Sequence, residues 1–266
     1  MPIKVFALFL LRYYAFGIGD LFMNKLVKLS TTILAMFALV GCGGSSGGGD
    51  SKGEESLPIS EEQSQQKMEQ LAQSDGYYLE FKYSTTENGE ASEEDHFFYG
   101  VKGDVVWMGQ DEDGLALKKE GNQYHYYSLE DGNYSFVYSV TNEQAEGLDS
   151  AYMSIYTMWL YYGNAFDGQL TKGADTKVAG RSCNTYTFSY SNLGNLSSMM
   201  GAGVASLKYE IAVDKELGIT MKLSVAGKSN EGSGTFSYEV TKFVTGSSVS
   251  VPNLPAAVPA NSGEED

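Results

Sequence analysis

From residue 77 onward, apolar and polar positions alternate with a period of two over most of the chain. In YYLEFKYST, Leu79, Phe81 and Tyr83 alternate with Glu80 and Lys82, the period of a half-buried strand. The alternation continues through HFFYGV and DVVWMGQ. The following run, DEDGLALKKEGNQYHYYSLEDGNYSFVYSVT, is broken by turn signals at Asp113-Gly114, Glu120-Gly121-Asn122 and Asp131-Gly132, with Tyr134, Phe136 and Tyr138 alternating beyond the last. Asp-Gly between alternating segments predicts hairpins, so this half reads as an antiparallel meander. A second set follows in AGRSCNTYTFSYS, SLKYEIAVD, GITMKLSVAG and GTFSYEVTKFV, with Asp214-Lys215-Glu216-Leu217-Gly218 turning the chain between two of them.

Two segments carry a helical period instead. Ser60-Glu61-Glu62-Gln63 has the capping-box pattern and opens a helix to about Gln73, whose apolar residues are Met68, Leu71 and Ala72. Between the two sets of strands, DSAYMSIYTMWLYYG offers Asp149 as N-cap and Gly163 as C′. Within it Tyr152, Ile155, Met158, Trp159 and Tyr162 recur at helical spacing on one apolar face. NLGNLSSMMGAGVAS reads as a mobile loop or a short helix. The expected class is α+β, predominantly antiparallel β.

Ahead of this domain the pattern changes. MNKLVKLSTTILAMFALVG, starting at Met23, has two lysines, an apolar core from Ile33 to Val40 and small residues before Cys42, the order of a secretory signal peptide. Leu39-Val40-Gly41-Cys42 matches the bacterial lipobox, which makes Cys42 the expected lipid anchor, carrying acyl chains such as palmitate. Several acyl chains hold a protein at a bilayer where one holds it only marginally. Residues 1–22 carry a second apolar run, and translation is expected to begin at Met23. The division is therefore a signal segment over 1–41, the lipidated cysteine and a Gly/Ser tether over 42–58, one domain over 59–254, and a Pro/Ala-rich acidic tail over 255–266 expected to be disordered.

Charge narrows the partners. The chain has a formal net charge of −16. Without residues 1–41 it holds 14 basic and 33 acidic side chains, or −19. That argues against nucleic acid and against lying flat on anionic lipid. With Cys42 lipidated, Cys183 has no partner for an intramolecular disulfide and reads as a small buried residue on a strand. No catalytic motif appears, and no metal or cofactor is expected. His96 follows Glu93-Glu94-Asp95 and reads as part of a solvated loop, while His125 in QYHYYS reads as an outward strand residue. Aligning Gly114 with the glycine of a calcium loop puts Asp111, Asp113 and Glu120 at ligand positions but Gly109 at the first, so a hairpin turn is preferred.

The order of tether, weak helix, β-meander, amphipathic helix and second strand set resembles the LolA/LolB-like lipoprotein-carrier superfamily. KVAGRSCNTYTFSYS, with Gly180, Cys183 and Tyr186, is similar to a strand pair of that superfamily. YEIAVDKELGITMKLSVAG is similar to its hairpin, and VSVPNLP to its proline-containing close. The resemblance, over roughly residues 60–255, implies a curved half-barrel sheet covered on its concave face by one or two helices, with an apolar cavity for acyl chains. The carriers' lid-controlling arginines on early strands have no counterpart, since the arginine beyond the signal segment is Arg181.

Two functions remain. One is an anchored extracytoplasmic lipoprotein, on the outer membrane or the outer face of a single membrane, that binds a lipid or a lipoprotein acyl chain. Its ligand residues would be Trp107, Tyr152, Ile155, Met158, Trp159, Tyr186, Phe188 and Met221. The other is a structural or interaction lipoprotein with a filled core that works with other envelope proteins. Neither is an enzyme.

Overall fold

The computed structural model describes residues 57, 59–91, 94–141, 170–191, 204–229 and 232–257. Cys42, the signal segment, the 149–163 segment with Tyr152, Ile155, Met158 and Trp159, and the 197–203 stretch lie outside the described residues. Every described element falls within one compact unit, Lys52–Asp266.

One helix precedes the strands. α1 (Glu61–Ser74) opens with the predicted box: Ser60 Oγ accepts from Gln63 N at 3.3 Å, and Ser60 N donates to Gln63 Oε1 at 3.2 Å. Two otherwise orphaned amide donors are thereby satisfied. Of its apolar residues Met68 is buried, and Leu71 and Ala72 are half-buried.

The strands are β1 (Tyr77–Glu87), β2 (Glu90–Ala91), β3 (Asp95–Lys102), β4 (Val105–Gln110), β5 (Asp113–Glu120), β6 (Gln123–Glu130) and β7 (Asn133–Thr141). After these come β8 (Thr171–Lys172), β9 (Thr176–Val178), β10 (Arg181–Ser191), β11 (Val204–Asp214), β12 (Thr220–Ser229) and β13 (Ser233–Thr245). All belong to one antiparallel sheet in the order β7-β6-β5-β4-β3-β1-β13-β12-β11-β10-β8, with β2 on β1 and β9 on β10. The two halves join where β1 pairs with β13, Tyr77 standing opposite Thr245.

Hairpin turns follow the sequence signals with one correction. Asp131-Gly132 turns β6 into β7 with φ of 50° and 75°, positive at both turn residues as a type I′ hairpin requires. Between β4 and β5 the turn is Asp111-Glu112, one pair earlier than the Asp113-Gly114 signal. Gly114 instead stands opposite Gly109 inside the ladder, and a methyl on either glycine would strike the backbone of the other strand. The close approach claims both glycines and moves the turn.

The sheet is open and curved. In a flat sheet the β11–β12 turn and the β3–β4 turn would stand about 19 Å apart, four strand spacings. Yet α1 reaches both: Ser64 Oγ donates to Leu217 O at 2.6 Å, and Gly103 N donates to Ala72 O at 3.4 Å. Ser64 and Ala72 lie only about 12 Å apart along a helix. The helix is therefore a chord across the arc, on its concave side. Likewise, the Arg181 guanidinium at the start of β10 sits 5.1 Å from the Phe243 ring on β13, three strands away.

The register assigns the faces. Across β1, β3, β13, β12 and β11 the concave set includes Leu79, Tyr99, Tyr238, Leu223 and Tyr209, all essentially buried. The opposite positions on the central strands are ion pairs open to water: Lys82–Glu94 at 2.9 Å, Lys242–Glu80 at 2.7 Å and Lys222–Glu239 at 2.9 Å.

The convex side of the first half is different. Val105, Trp107, Ala116 and Tyr127 form a second cluster with Val249, and Tyr78, Phe98, Phe136 and Leu254 pack around it. Its cover is the segment after β13, a 3-10 turn at Gly246–Ser248 and then residues 249–257. Lys102 Nζ holds this strap by donating to Gly246 O at 3.1 Å and Val249 O at 3.0 Å. The first residues of the expected disordered tail, Pro255 to Ala257, are thus placed against the sheet, beside an open cleft of about 480 Å³. An apolar convex face draws in the adjacent Val249 and Leu254, and the chain after them follows.

Candidate functional site

The concave face is an almost unbroken apolar surface. It begins at Phe97 on β3 and crosses Phe81 and Tyr83 on β1, then Tyr238 and Phe236 on β13. From there Leu223 and Val225 on β12 and Ile211 and Tyr209 on β11 lead to Tyr186 and Phe188 on β10. Aromatic rings meet along it, with centroids 5.4 Å apart for Phe81–Phe97, 5.3 Å for Phe81–Tyr238, 5.3 Å for Tyr83–Phe97 and 5.9 Å for Phe188–Tyr209. Such spacings suit offset or tilted rings. Most of these side chains are buried, whereas Phe188 and Tyr83 are half-buried.

Of the residues expected at the ligand site, Tyr186, Phe188 and Met221 share this face. Met221 is buried and lies on the side away from the exposed Lys222–Glu239 pair. Trp107 does not join them. It pairs with Gly100 and Ala116 and points to the convex side, while the next residue, Met108, takes the concave position opposite Tyr99. Strand β4 is apolar on both sides, so its alternation carries no phase. Register alone decided between Trp107 and Met108.

His125 also departs from expectation. It is 7 % exposed rather than outward. Its Nδ1 is 2.7 Å from Ser139 Oγ, its Nε2 is 3.4 Å from Glu120 Oε2, and its ring tilts against Phe136. The strap and β7 bury it, and neither neighbour is visible in QYHYYS. His96 is exposed as expected, but it stands on β3 rather than in a loop.

One group of polar side chains on the concave side lies at the end of the strands away from α1. Gln110 Nε2 donates to Asp95 Oδ1 at 2.6 Å, and the Tyr83 hydroxyl bonds to the same carboxyl. Burial, and then this carboxyl, raise the Tyr83 pKa well above the ordinary phenol range. At the α1 end, Asp214 is 1 % exposed and accepts from Arg181 Nε at 2.5 Å, Arg181 Nη2 at 3.0 Å and the Glu216 and Leu217 amides at 2.9 and 2.7 Å. That arrangement is a satisfied turn and ion pair. Cys183 beside it is buried, and burial pushes its thiol up to about 11, which leaves it protonated and unreactive at neutral pH. Among the described residues no three His, Cys, Asp or Glu side chains gather as metal ligands, and no helix is long and apolar enough to cross a membrane.

No family model matches the chain, and no curated protein does. Solved structures similar to it include Pseudomonas aeruginosa MucB in its MucA/MucB complex, at 16% identity and TM-score 0.29, with 73% of this chain and 57% of that one covered. Another is the Mycobacterium tuberculosis lipoprotein LppX, at 10% identity and TM-score 0.30, with 71% and 96% covered. A third is a putative outer membrane lipoprotein-sorting protein domain from Vibrio parahaemolyticus, at 8% identity and TM-score 0.22, with 70% and 92% covered. The match spans little more than half of the MucB chain.

Proposed function

We propose that the chain is a lipid-anchored protein of the bacterial envelope, not an enzyme, that holds an apolar chain against the concave face of its sheet. One observation carries this reading: from β3 to β10 the concave face of the described residues presents aromatic and aliphatic side chains, with no lysine and with Arg181 reaching it only at the α1 end, on a sheet that does not close on itself. Burial of an acyl chain there contributes about 0.8 kcal/mol per methylene, so affinity grows with chain length and needs little polar help. The lipobox at Cys42 places the domain beside the bilayer that supplies such chains.

Three measurements test the reading. Cys42→Ser should release the protein from membranes, and retention after a high-salt wash would refute the anchor. Native mass spectrometry of protein extracted from membranes should find a bound lipid. A long-chain alcohol should then bind the delipidated protein and bind Phe188→Ser about tenfold more weakly. If neither lipid nor alcohol binds to folded protein, the filled-core interaction protein takes its place.

A further inference from the structure

The concave face ends in a carboxylate rather than a cation. Asp95 opens β3 at the end away from α1, half-buried and opposite Tyr83 in the register. Tyr83 and Gln110 donate to it, Gln110 at 2.6 Å and itself 7 % exposed. These two donors hold the carboxylate in place but do not saturate it, since two carboxylate oxygens offer about four acceptor positions. Beside it the Tyr83 ring lies 5.3 Å from Phe97 and 6.2 Å from Phe236, an aromatic surface continuous with the apolar row.

Basic residues are kept off this side on the strands from β3 to β11, whereas on β8 the exposed Lys172 stands opposite Tyr186. On the central and second-half strands Lys82, Lys102, Lys208, Lys222 and Lys242 all take convex positions. Arg181 reaches over Phe243 only at the α1 end, where Asp214 and Glu216 occupy its guanidinium. A ligand with an anionic head would meet a lysine only at the solvent-exposed β8 edge, at Lys172, and none from β3 to β11, and at the far end it would meet the half-buried Asp95. An ammonium head would meet a charge-assisted acceptor and ring faces that attract cations.

From this charge pattern we infer that the ligand is an amphiphile with an ammonium headgroup, its tail along the Phe97–Phe188 row and its nitrogen at Asp95. The inference rests on the apolar-chain reading above and specifies its headgroup. The test is calorimetric titration of decylammonium, decanol and decanoate into the chain from Lys52, the compact unit that holds the whole sheet and α1. Decylammonium should bind tightest and decanoate weakest. Asp95→Asn should weaken decylammonium about tenfold and leave decanol unchanged, as expected for the loss of one charge-assisted hydrogen bond. Asp95→Glu should retain the order. If Asp95→Asn does not fold, the wild-type order and its salt dependence decide, because only decylammonium should weaken as salt rises. Decanoate binding as tightly as decylammonium, or an Asp95→Asn protein that binds all three as the wild type does, would overturn the headgroup assignment and leave the apolar-chain reading standing. Binding of none of the three overturns both.

Discussion

Gly100 and Trp107 face each other across the β3–β4 ladder, and the indole lies flat over the glycine, where any methyl would overlap the ring. The pair works only with a glycine, because the space above its Cα belongs to the tryptophan. Gly100→Ala should therefore destabilise the domain by about 1–3 kcal/mol through overpacking, read as a lowered denaturation midpoint with an unchanged slope. Phe98 covers Gly109 in the same way two pairs further along, so the convex cluster is built from alternating large and absent side chains. Cys183 makes a complementary test of the other half. Buried and held protonated, it should resist thiol reagents at pH 8 until the chain unfolds. Labelling of native protein faster than global unfolding would show that the end of the sheet near Asp214 opens locally.

At the scale of elements, two peripheral segments, α1 and the C-terminal strap, are fastened to opposite sides of one sheet. α1 buries little apolar surface, and its position depends on polar fastenings: the Ser60–Gln63 box, Ser64 to Leu217 O and Lys67 Nζ to Glu216 O at 2.5 Å. Ser60→Ala should cost about 1 kcal/mol, measurable by chemical denaturation. The turn that receives α1 depends on Asp214, whose removal would leave two amides without their acceptor and Arg181 with only the exposed Glu216. Asp214→Ala should cost about 3 kcal/mol or more. The strap is the apolar counterpart. Truncation after Ser248 removes Val249 and Leu254 from the convex cluster, and should cost about 2–4 kcal/mol by area. It should also shift tryptophan emission to the red, because Trp107, now 4 % exposed, would meet water. An unchanged emission spectrum would mean that the strap contributes little cover.

At the scale of the whole molecule, a chain with 19 tyrosines has placed several hydroxyls where water is scarce. Burial pushes Tyr134 up to about 12, and burial raises Tyr78, Tyr83, Tyr138 and Tyr238 as well. The folded state binds these protons more tightly than the unfolded state. Their contribution is therefore fully present below the ordinary tyrosine value of 10.0 and lost as the pH rises from there through the folded values, near 12 for Tyr134. The denaturation midpoint should hold steady up to about pH 10 and fall steeply above it, with ultraviolet titration showing late ionisation that becomes ordinary in denaturant. A midpoint independent of pH over that range would contradict the buried positions.

Strand by strand, the period-two alternation of YYLEFKYST, SLKYEIAVD and GTFSYEVTKFV was enough to define the antiparallel elements, because a strand buried on one face writes that face into every second residue. The capping box and the Asp131-Gly132 turn were legible for the same reason: their partners lie within a few residues. What the local pattern did not contain was phase and partnership. In β4 both faces are apolar, so only the pairing of Tyr99 with Met108 and of Gly100 with Trp107 separated the concave residue from the convex one. The union of the halves through β1 and β13, the burial of His125 beneath the strap, and the meeting of Tyr83, Asp95 and Gln110 each join residues from different strands. Sequence determined which residues alternate and where the chain turns, since those are interactions over a few residues. Tertiary structure alone decided which alternate set faces the concavity and which polar group closes it, since those depend on contacts that register and sheet curvature create.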